Sequence, residues 1–238
     1  MNDKSAVWAI LPVKHFATAK SRLAPVLGRE ARSNLARVMY EDVLATLFEC
    51  SFLSGIAVVT PDLEAAGFAE ARGALAIREE KDAGLNAALR VAIDRLPRNS
   101  DIGVVIVPSD LPQLSTQAIA TAVEAISRRS SVAIAAARTD GGTNLLACRP
   151  AAAVPLHFGP SSFLQHSRAA QQAGLTVRVL ELPELLLDID TPEDLEAFHA
   201  LHTNTRTHAF VAHEVFGSAE SPIRVAGKDF CNSAKVRS

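Results

Sequence analysis

The chain of 238 residues is 48% hydrophobic and 21% charged, with a formal net charge of −2. This composition is typical of a globular domain with a full core, and the near-neutral charge argues against a nucleic-acid partner. No apolar run approaches the ~20 residues that a membrane helix needs, the N-terminus lacks the apolar core of a secretory signal, and three scattered cysteines favour reduced thiols in the cytoplasm.

Strand-like and helix-like segments alternate along most of the chain. Strands are predicted over residues 7–13, 55–60, 102–108, 132–137, 144–148 and 176–181. Helices are predicted over residues 29–50, 85–96, 115–127 and 162–173, and after Asp62 and Thr191. These β-then-α units predict an α/β fold with a mostly parallel central sheet and helices on both faces.

The alternation stops near His202. Residues 1–201 are therefore predicted to form one domain, and residues 202–238 a C-terminal tail. The tail is expected to be partly disordered or to add one strand at the run AFVAHEVF.

The loop after the first strand, LPVKHFATAKSRLAP, carries three basic residues and no acidic one. In open α/β sheets, ligands bind at the carboxyl ends of the strands. Lys14, Lys20 and Arg22, together with backbone N–H groups, are suited to phosphates there; the alternative is a solvated basic loop. The loop has neither the GxxxxGK[ST] nor the GxGxxG pattern, which disfavours those two nucleotide-binding folds.

Acidic residues stand at two later points that are suited to a metal ion. Asp110, in VPSDLPQL, follows an apolar strand and suits either Mg²⁺ or the capping of a turn. Asp188 and Asp190 flank Ile189, so in an extended segment both carboxylates point to the same side. Thr191 can already cap the helix that follows. Capping therefore does not explain the acidic pair, and a metal site shared with Asp110 is favoured.

Two glycine-containing stretches, RTDGGTNLL and HFGPSSF, also carry hydroxyl groups. Thr143, Ser161 and Ser162, with nearby backbone N–H groups, suit an anion, although as turns alone the two stretches are unremarkable. Lys81, Asp82 and Asn86 lie before and at the start of a predicted helix. These three side chains either read a base edge or cap that helix. The seven histidines show no metal-ligand spacing.

The ordered motifs resemble those of one enzyme family. In chain order they are PVK, KSRL, DAGLNAAL, SDLP, DGGTNLL, FGPSS and LDIDTPEDL. This set resembles the 2-phospho-L-lactate guanylyltransferase family of coenzyme F(420) biosynthesis, over residues 6–201. The resemblance implies a single-domain, Rossmann-like nucleotidyltransferase fold. It also implies transfer of GMP from GTP to 2-phospho-L-lactate, phosphoenolpyruvate or 3-phospho-D-glycerate, with release of pyrophosphate.

The resemblance also implies roles for individual residues. Its catalytic residues map onto Lys20, Arg22 and Asp110, and its Mg²⁺ ligands onto Asp110, Asp188 and Asp190, with Asp190 favoured over Asp188. Its nucleotide contacts map onto Pro12, Val13, Lys14, Lys20, Arg22, Lys81, Asp82, Gly84 and Asn86. Its acid-substrate contacts map onto Thr143, Gly159 and Ser162.

The opening loop departs from related nucleotidyltransferases, because His15, Phe16 and Ala17 stand where many have a Gly-rich sequence. GTP and a phospho acid are the expected partners. A homodimer and transfer of the product to a downstream transferase are further expectations. Two alternatives stay open. One is the same fold with another acceptor, such as a sugar phosphate, a polyol phosphate or a molybdopterin-type cofactor, and the other is a non-catalytic nucleotide-binding regulatory module.

Overall fold

The computed structural model describes residues 6–78, 84–97, 101–128 and 130–217. Its strands are β1 (Val7–Pro12), β2 (Gly55–Thr60), β3 (Leu75–Arg78), β4 (Gly103–Ile106), β5 (Ser131–Ala136), β6 (Thr143–Arg149) and β7 (Thr176–Val179). Its helices are α1 (Arg29–Glu49), α2 (Leu63–Glu70), α3 (Leu85–Arg95), α4 (Thr116–Ala125), α5 (Ser162–Gln172), α6 (Pro192–His199) and α7 (Arg206–Glu214).

The seven strands form one sheet in the order β3-β2-β1-β4-β6-β5-β7. Strand β6 runs antiparallel to its neighbours β4 and β5, and the other pairs are parallel. The exception follows from chain connectivity, because only the short turn around Gly141 joins β5 to β6 and a parallel pair needs a longer crossover. The predicted α/β fold with a mostly parallel sheet is confirmed.

Helices cover both faces of the sheet, because the central strands are apolar on both faces. Leu11 and Val105 point into one core, packed by α1, α2 and α4. Ile10 and Ile106 point into the other, packed by α3 and α5. This alternation along β1 and β4 fixes where the two strands end, and so positions the loops that follow them.

Two elements differ from the sequence-based expectation. The short edge strand β3 was not predicted. The run predicted as an added strand lies instead largely in α7, whose first turn is capped when Thr205 Oγ1 accepts a hydrogen bond from His208 N. Asp42 on α1 then accepts bonds from Thr207 N at 2.8 Å and Thr207 Oγ1 at 2.7 Å, which ties α7 to the body of the domain.

Within the described ranges, none of the helices combines the length and the apolar character needed to cross a bilayer.

Candidate active site

The basic loop leaves the carboxyl end of β1 and folds back over the sheet edge. Phe16 is buried against Tyr40 of α1, with ring centroids 5.8 Å apart. The backbone N–H of Phe16 donates to Asp62 Oδ2 at 3.0 Å, at the start of α2. The aromatic residue that replaces a glycine-rich sequence therefore anchors the loop to the core.

Lys20 is held in a left-handed backbone conformation, with φ 54° and ψ 39°. Its side chain is only 7% exposed, and its ammonium group lies 2.6 Å from Asp110 Oδ2 and 2.8 Å from Asp190 Oδ1. Burial alone would lower the pKa of Lys20, but the two carboxylates outweigh burial and raise it. Lys20 is thus a fixed positive charge between two of the predicted metal ligands.

Asp110, Asp188 and Asp190 come together as predicted from their positions in the sequence. One carboxylate oxygen from each lies within 4.8 Å of the others, and within the described ranges this is the only such group of three potential metal-ligating side chains. Ile189 is fully buried between the last two, and its N–H donates to the Asp110 backbone oxygen at 3.3 Å. The buried residue turns both of its neighbours toward Asp110.

The two paired carboxylates differ in electrostatic environment. Burial, reinforced by the negative charges of Asp110 and Asp190, raises the pKa of Asp188. Burial would also raise that of Asp190, but Lys20, Arg22 and Lys14 outweigh it and hold the pKa of Asp190 below its usual range. The basic loop therefore keeps Asp190 ionised, whereas among the described residues no cationic side chain lowers the pKa of Asp188.

Neighbouring side chains fix this acidic segment in place. Asn144 on β6 donates from Nδ2 to Asp188 Oδ1 at 3.1 Å and to the Leu185 carbonyl at 3.0 Å. Asp194 Oδ2 accepts from the backbone N–H groups of Asp190 and Thr191, at 3.2 and 2.9 Å. Such outer partners orient metal ligands, so Asn144 and Asp194 are functional candidates that the sequence did not reveal.

A cavity of about 600 Å³ opens beside Lys20 and the acids, a volume within the range of small-molecule sites. Of the predicted nucleotide contacts it is lined by Pro12, Val13, Lys14, Lys20 and Gly84, and of the predicted metal ligands by Asp110 and Asp190. Arg22 is exposed outside this lining, although its charge reaches Asp190. Lys81 and Asp82 lie outside the described residues.

A larger cavity of about 800 Å³ lies elsewhere, between α1 and the segment after α6. Among the described residues, its lining contains none of the predicted site residues. We place the chemistry at the smaller cavity, because there charged groups converge at the carboxyl ends of β1 and β4.

Thr143 and Ser162 form a buried hydroxyl pair, with their oxygens 2.9 Å apart. Thr143 Oγ1 also lies 3.0 Å from His166 Nδ1, and the His157 backbone N–H donates to His166 Nε2 at 2.9 Å. Burial lowers the pKa of His166 to about 4, so the ring is neutral at physiological pH. His166 was not identified from the sequence, because there it is a single histidine inside a predicted helix and no motif marks it.

Gly159, the third predicted acid contact, stands in the loop before α5 with φ +140°, a conformation that favours glycine. Asn86 fixes this loop, because its side chain donates to the Phe158 carbonyl at 3.0 Å and accepts from the Phe158 N–H at 2.7 Å. These two hydrogen bonds hold the FGPSS loop against the start of α3.

Solved structures share this architecture. The chain superposes with a TM-score of 0.71 on a protein from Desulfovibrio desulfuricans provisionally assigned as a nucleotide-diphospho-sugar transferase, at 22% identity, covering 88% of this chain and 95% of that one. A nucleotidyl transferase from Methanothermobacter gives a TM-score of 0.57 at 19% identity, covering 84% and 99% of the two chains. The architecture is thus that of the nucleotidyltransferase-like fold.

Sequence comparison resolves the family within that fold. Residues 7–217 match the model of the guanylyl transferase CofC-like family, and the chain belongs to this family of guanylyltransferases. The match extends past residue 201 and takes in α7. The predicted family membership is confirmed.

Curated relatives carry three substrate names. A phosphoenolpyruvate guanylyltransferase of Sphaerobacter thermophilus is 38% identical over 79% of this chain and 90% of the relative. A 3-phospho-D-glycerate guanylyltransferase of Phenylobacterium zucineum is 37% identical over 78% and 86%. A 2-phospho-L-lactate guanylyltransferase of Methanothermobacter thermautotrophicus is 36% identical over 79% and 81%. The three identities, 38%, 37% and 36%, lie within two percentage points of one another.

Proposed function

We propose that this guanylyltransferase transfers GMP from GTP to a small phosphorylated carboxylic acid of the phosphoenolpyruvate, 2-phospho-L-lactate or 3-phospho-D-glycerate type, with release of pyrophosphate. The observation that carries the proposal is the meeting of Lys20 with Asp110 and Asp190 at the edge of a cavity of about 600 Å³. Curated relatives that span most of this chain support the acceptor class.

The reaction joins two anions, so neutralising charge is the main task of the site. The acceptor phosphate attacks the α-phosphorus of GTP, one P–O bond forms, and the bond to the pyrophosphate oxygen breaks. Lys14 and Lys20, which line the cavity, face phosphate oxygens in this arrangement, and Arg22 adds its charge from the rim. Because the acceptor phosphate is itself the nucleophile, the reaction needs no protein nucleophile.

The acidic cluster fits a divalent cation. Three carboxylates converge while Lys20 supplies one ammonium group, so the cluster keeps a net negative charge. Its donors are all oxygen atoms, which Mg²⁺ prefers. Asp110, Asp188 and Asp190 would hold this ion, and the ion would supply positive charge to triphosphate oxygens. Asn144 and Asp194 keep the carboxylates oriented.

The hydroxyl pair of Thr143 and Ser162, with Gly159 in the adjoining loop, is proposed to hold the acid. Thr143 directly precedes Asn144, whose amide donates to Asp188, so the acid and the metal share one end of β6. In the sheet β4 separates β6 from β1, so the acid is proposed to lie across β4 from the basic loop.

The cytoplasm is the proposed compartment, where GTP is available and the buried thiols of Cys50 and Cys148 stay reduced. The product is an activated diphosphate ester. A downstream transferase would consume this product: its acceptor would attack the acid-bearing phosphorus, and GMP would leave.

Pyrophosphate release tests this function. The purified chain is incubated with GTP and Mg²⁺ and with each of the three phospho acids in parallel. Release with one acid, absent without acid, establishes the reaction and names the substrate. GTP binding without pyrophosphate release for all three acids would overturn the proposal in favour of another acceptor or a regulatory module.

A further inference from the structure

His166 controls how many hydrogen-bond donors the Thr143–Ser162 pair can offer. The ring is fully buried in α5, and the Phe158 ring packs edge-on against it at 5.0 Å. Its Nε2 accepts the His157 backbone N–H, so Nε2 carries a lone pair. A neutral ring must then carry its proton on Nδ1, which lies 3.0 Å from Thr143 Oγ1.

The proton count on the hydroxyl pair follows from that tautomer. Thr143 Oγ1 accepts from His166, and one hydroxyl proton is used in the 2.9 Å bond between Thr143 and Ser162. Two hydroxyls carry two protons, so one O–H remains. Within the described part of the chain, neither hydroxyl has another partner. With the opposite tautomer, Thr143 would donate to His166, Ser162 would donate to Thr143, and no O–H would remain.

We infer that His166 is a positioning residue for the acid substrate: with His157 N–H fixing its tautomer, it leaves one hydroxyl of the Thr143–Ser162 pair free to donate to a carboxylate or phosphate oxygen. The inference rests on the proposed function for the identity of that ligand. His166 does not itself touch substrate, because it is fully buried behind Thr143, which is 7% exposed.

The surrounding hydrogen bonds preserve this arrangement. The Phe163 N–H donates to the Gly141 carbonyl at 3.1 Å, and the Ser161 N–H donates to the Asp140 carbonyl at 3.2 Å, so the two glycine-containing turns are joined backbone to backbone. Ser162 is fully buried and Thr143 nearly so. The bonds from His166 and Ser162 fix the position of Thr143 Oγ1 before an acid arrives, which reduces the entropic cost of binding.

Three variants separate positioning from packing. His166→Leu removes both ring hydrogen bonds, His166→Asn keeps an amide donor near the position of Nδ1, and His213→Leu, at an exposed histidine of α7, is the matched control. We expect His166→Leu to raise KM for the phospho acid by about 10-fold, because Thr143 Oγ1 loses the hydrogen bond that fixes its orientation toward the acid. KM for GTP should stay within about threefold, His166→Asn should recover most of the loss, and His213→Leu should match wild type.

A long-range ¹H–¹⁵N correlation spectrum of the wild-type imidazole tests the tautomer without any turnover. A pyrrole-type Nδ1 and a pyridine-type Nε2 at His166 support the inference, and the reverse pattern overturns it. Equal increases in KM for GTP and for acid, or no rescue by His166→Asn, would also overturn it. Absence of wild-type turnover with every phospho acid would overturn the proposed function and the ligand named here, while the spectrum would still decide the hydrogen-bond assignment.

Discussion

The Lys20 ammonium lies 2.6 Å from Asp110 Oδ2, although the two residues are 90 positions apart in the chain. The left-handed backbone at Lys20 turns its side chain from the basic loop toward the carboxyl end of β4. The residue that the sequence suggests for phosphate binding therefore also forms ion pairs with two of the three acids that the sequence suggests for metal binding.

Replacing Lys20 with Met is predicted to destabilise the metal-free protein. The three carboxylates would then face one another without the ammonium, and the free energy of unfolding should fall by ~1–3 kcal/mol. Urea denaturation measures the change, and Mg²⁺ should restore part of it. Lys14→Met, at an exposed lysine of the same loop, is the control and should stay within ~0.5 kcal/mol. Equal effects of the two substitutions would refute the special position of Lys20.

Asp110→Asn and Asp190→Asn are each predicted to abolish turnover while the fold is retained. Each removes one of the three converging carboxylates, so kcat/KM should fall by at least ~100-fold. Circular dichroism checks the fold, and initial rates at several Mg²⁺ concentrations check the activity. Asp94→Asn, at an exposed position of α3, is the matched control. Full Mg²⁺-dependent activity in both site variants would remove the metal assignment.

Asn144→Ala is predicted to weaken metal binding without removing a ligand. Its amide donates to Asp188 Oδ1, and losing such a partner commonly weakens metal affinity by about 10- to 100-fold. Calorimetric titration with Mg²⁺ or Mn²⁺ measures this directly. Asn34→Ala on α1, where the side chain accepts from Arg37, should leave the affinity unchanged. An unchanged affinity in Asn144→Ala would show that Asp188 does not depend on this hydrogen bond.

Stability is predicted to fall in acid through His166. Its pKa is about 4 in the folded protein and near 6.5 when unfolded, so the unfolded state binds more protons between these values. The contribution is present above pH 6.5, is lost as pH falls toward 4, and amounts to at most about 3 kcal/mol. Urea denaturation from pH 7 to pH 4 measures it. His166→Asn should flatten that slope, and an equal slope in both proteins would contradict the shift.

Helix α7 is predicted to be needed for the stability of the domain. A chain ending at Leu201 would lose the Thr207 bonds to Asp42 and the buried side chain of Val211, at ~2–5 kcal/mol. Thermal unfolding of this chain should show a clearly lower midpoint than that of a chain ending at Gly217, which keeps α7. If both truncated chains unfold at the same temperature, residues 202–217 do not contribute to stability and the domain ends at residue 201, as the sequence predicts.

Sequence reasoning predicted the elements whose patterns are local. The apolar runs of β1 and β4 and the Thr191 cap of α6 all fall where expected. Strand β3 was not predicted from the sequence, because it has only four residues and only one of them, Ile77, is buried. For residues 202–238 the sequence predicts partial disorder or one added strand, because AFVAHEVF is a short apolar run. The structure places most of that run in α7, where Thr207 bonds to Asp42.

The site was predictable only in part, for the same reason. Asp188 and Asp190 share a side because extended backbone has a period of two, which can be deduced from three consecutive residues. The hydrogen bonds of Asn144 to Asp188 and of His166 to Thr143 link residues distant in the chain and need the folded arrangement. The antiparallel course of β6 brings those partners to the same sheet edge.

The most direct test of the account is the ³¹P spectrum of a reaction with GTP, Mg²⁺ and each phospho acid. The account predicts, for at least one acid, pyrophosphate together with an equimolar product whose two phosphorus atoms are coupled through a shared oxygen. That product can form only if the acceptor phosphate has attacked the α-phosphorus. Intact GTP, or hydrolysis to GMP with the acid unchanged, for all three acids would contradict it.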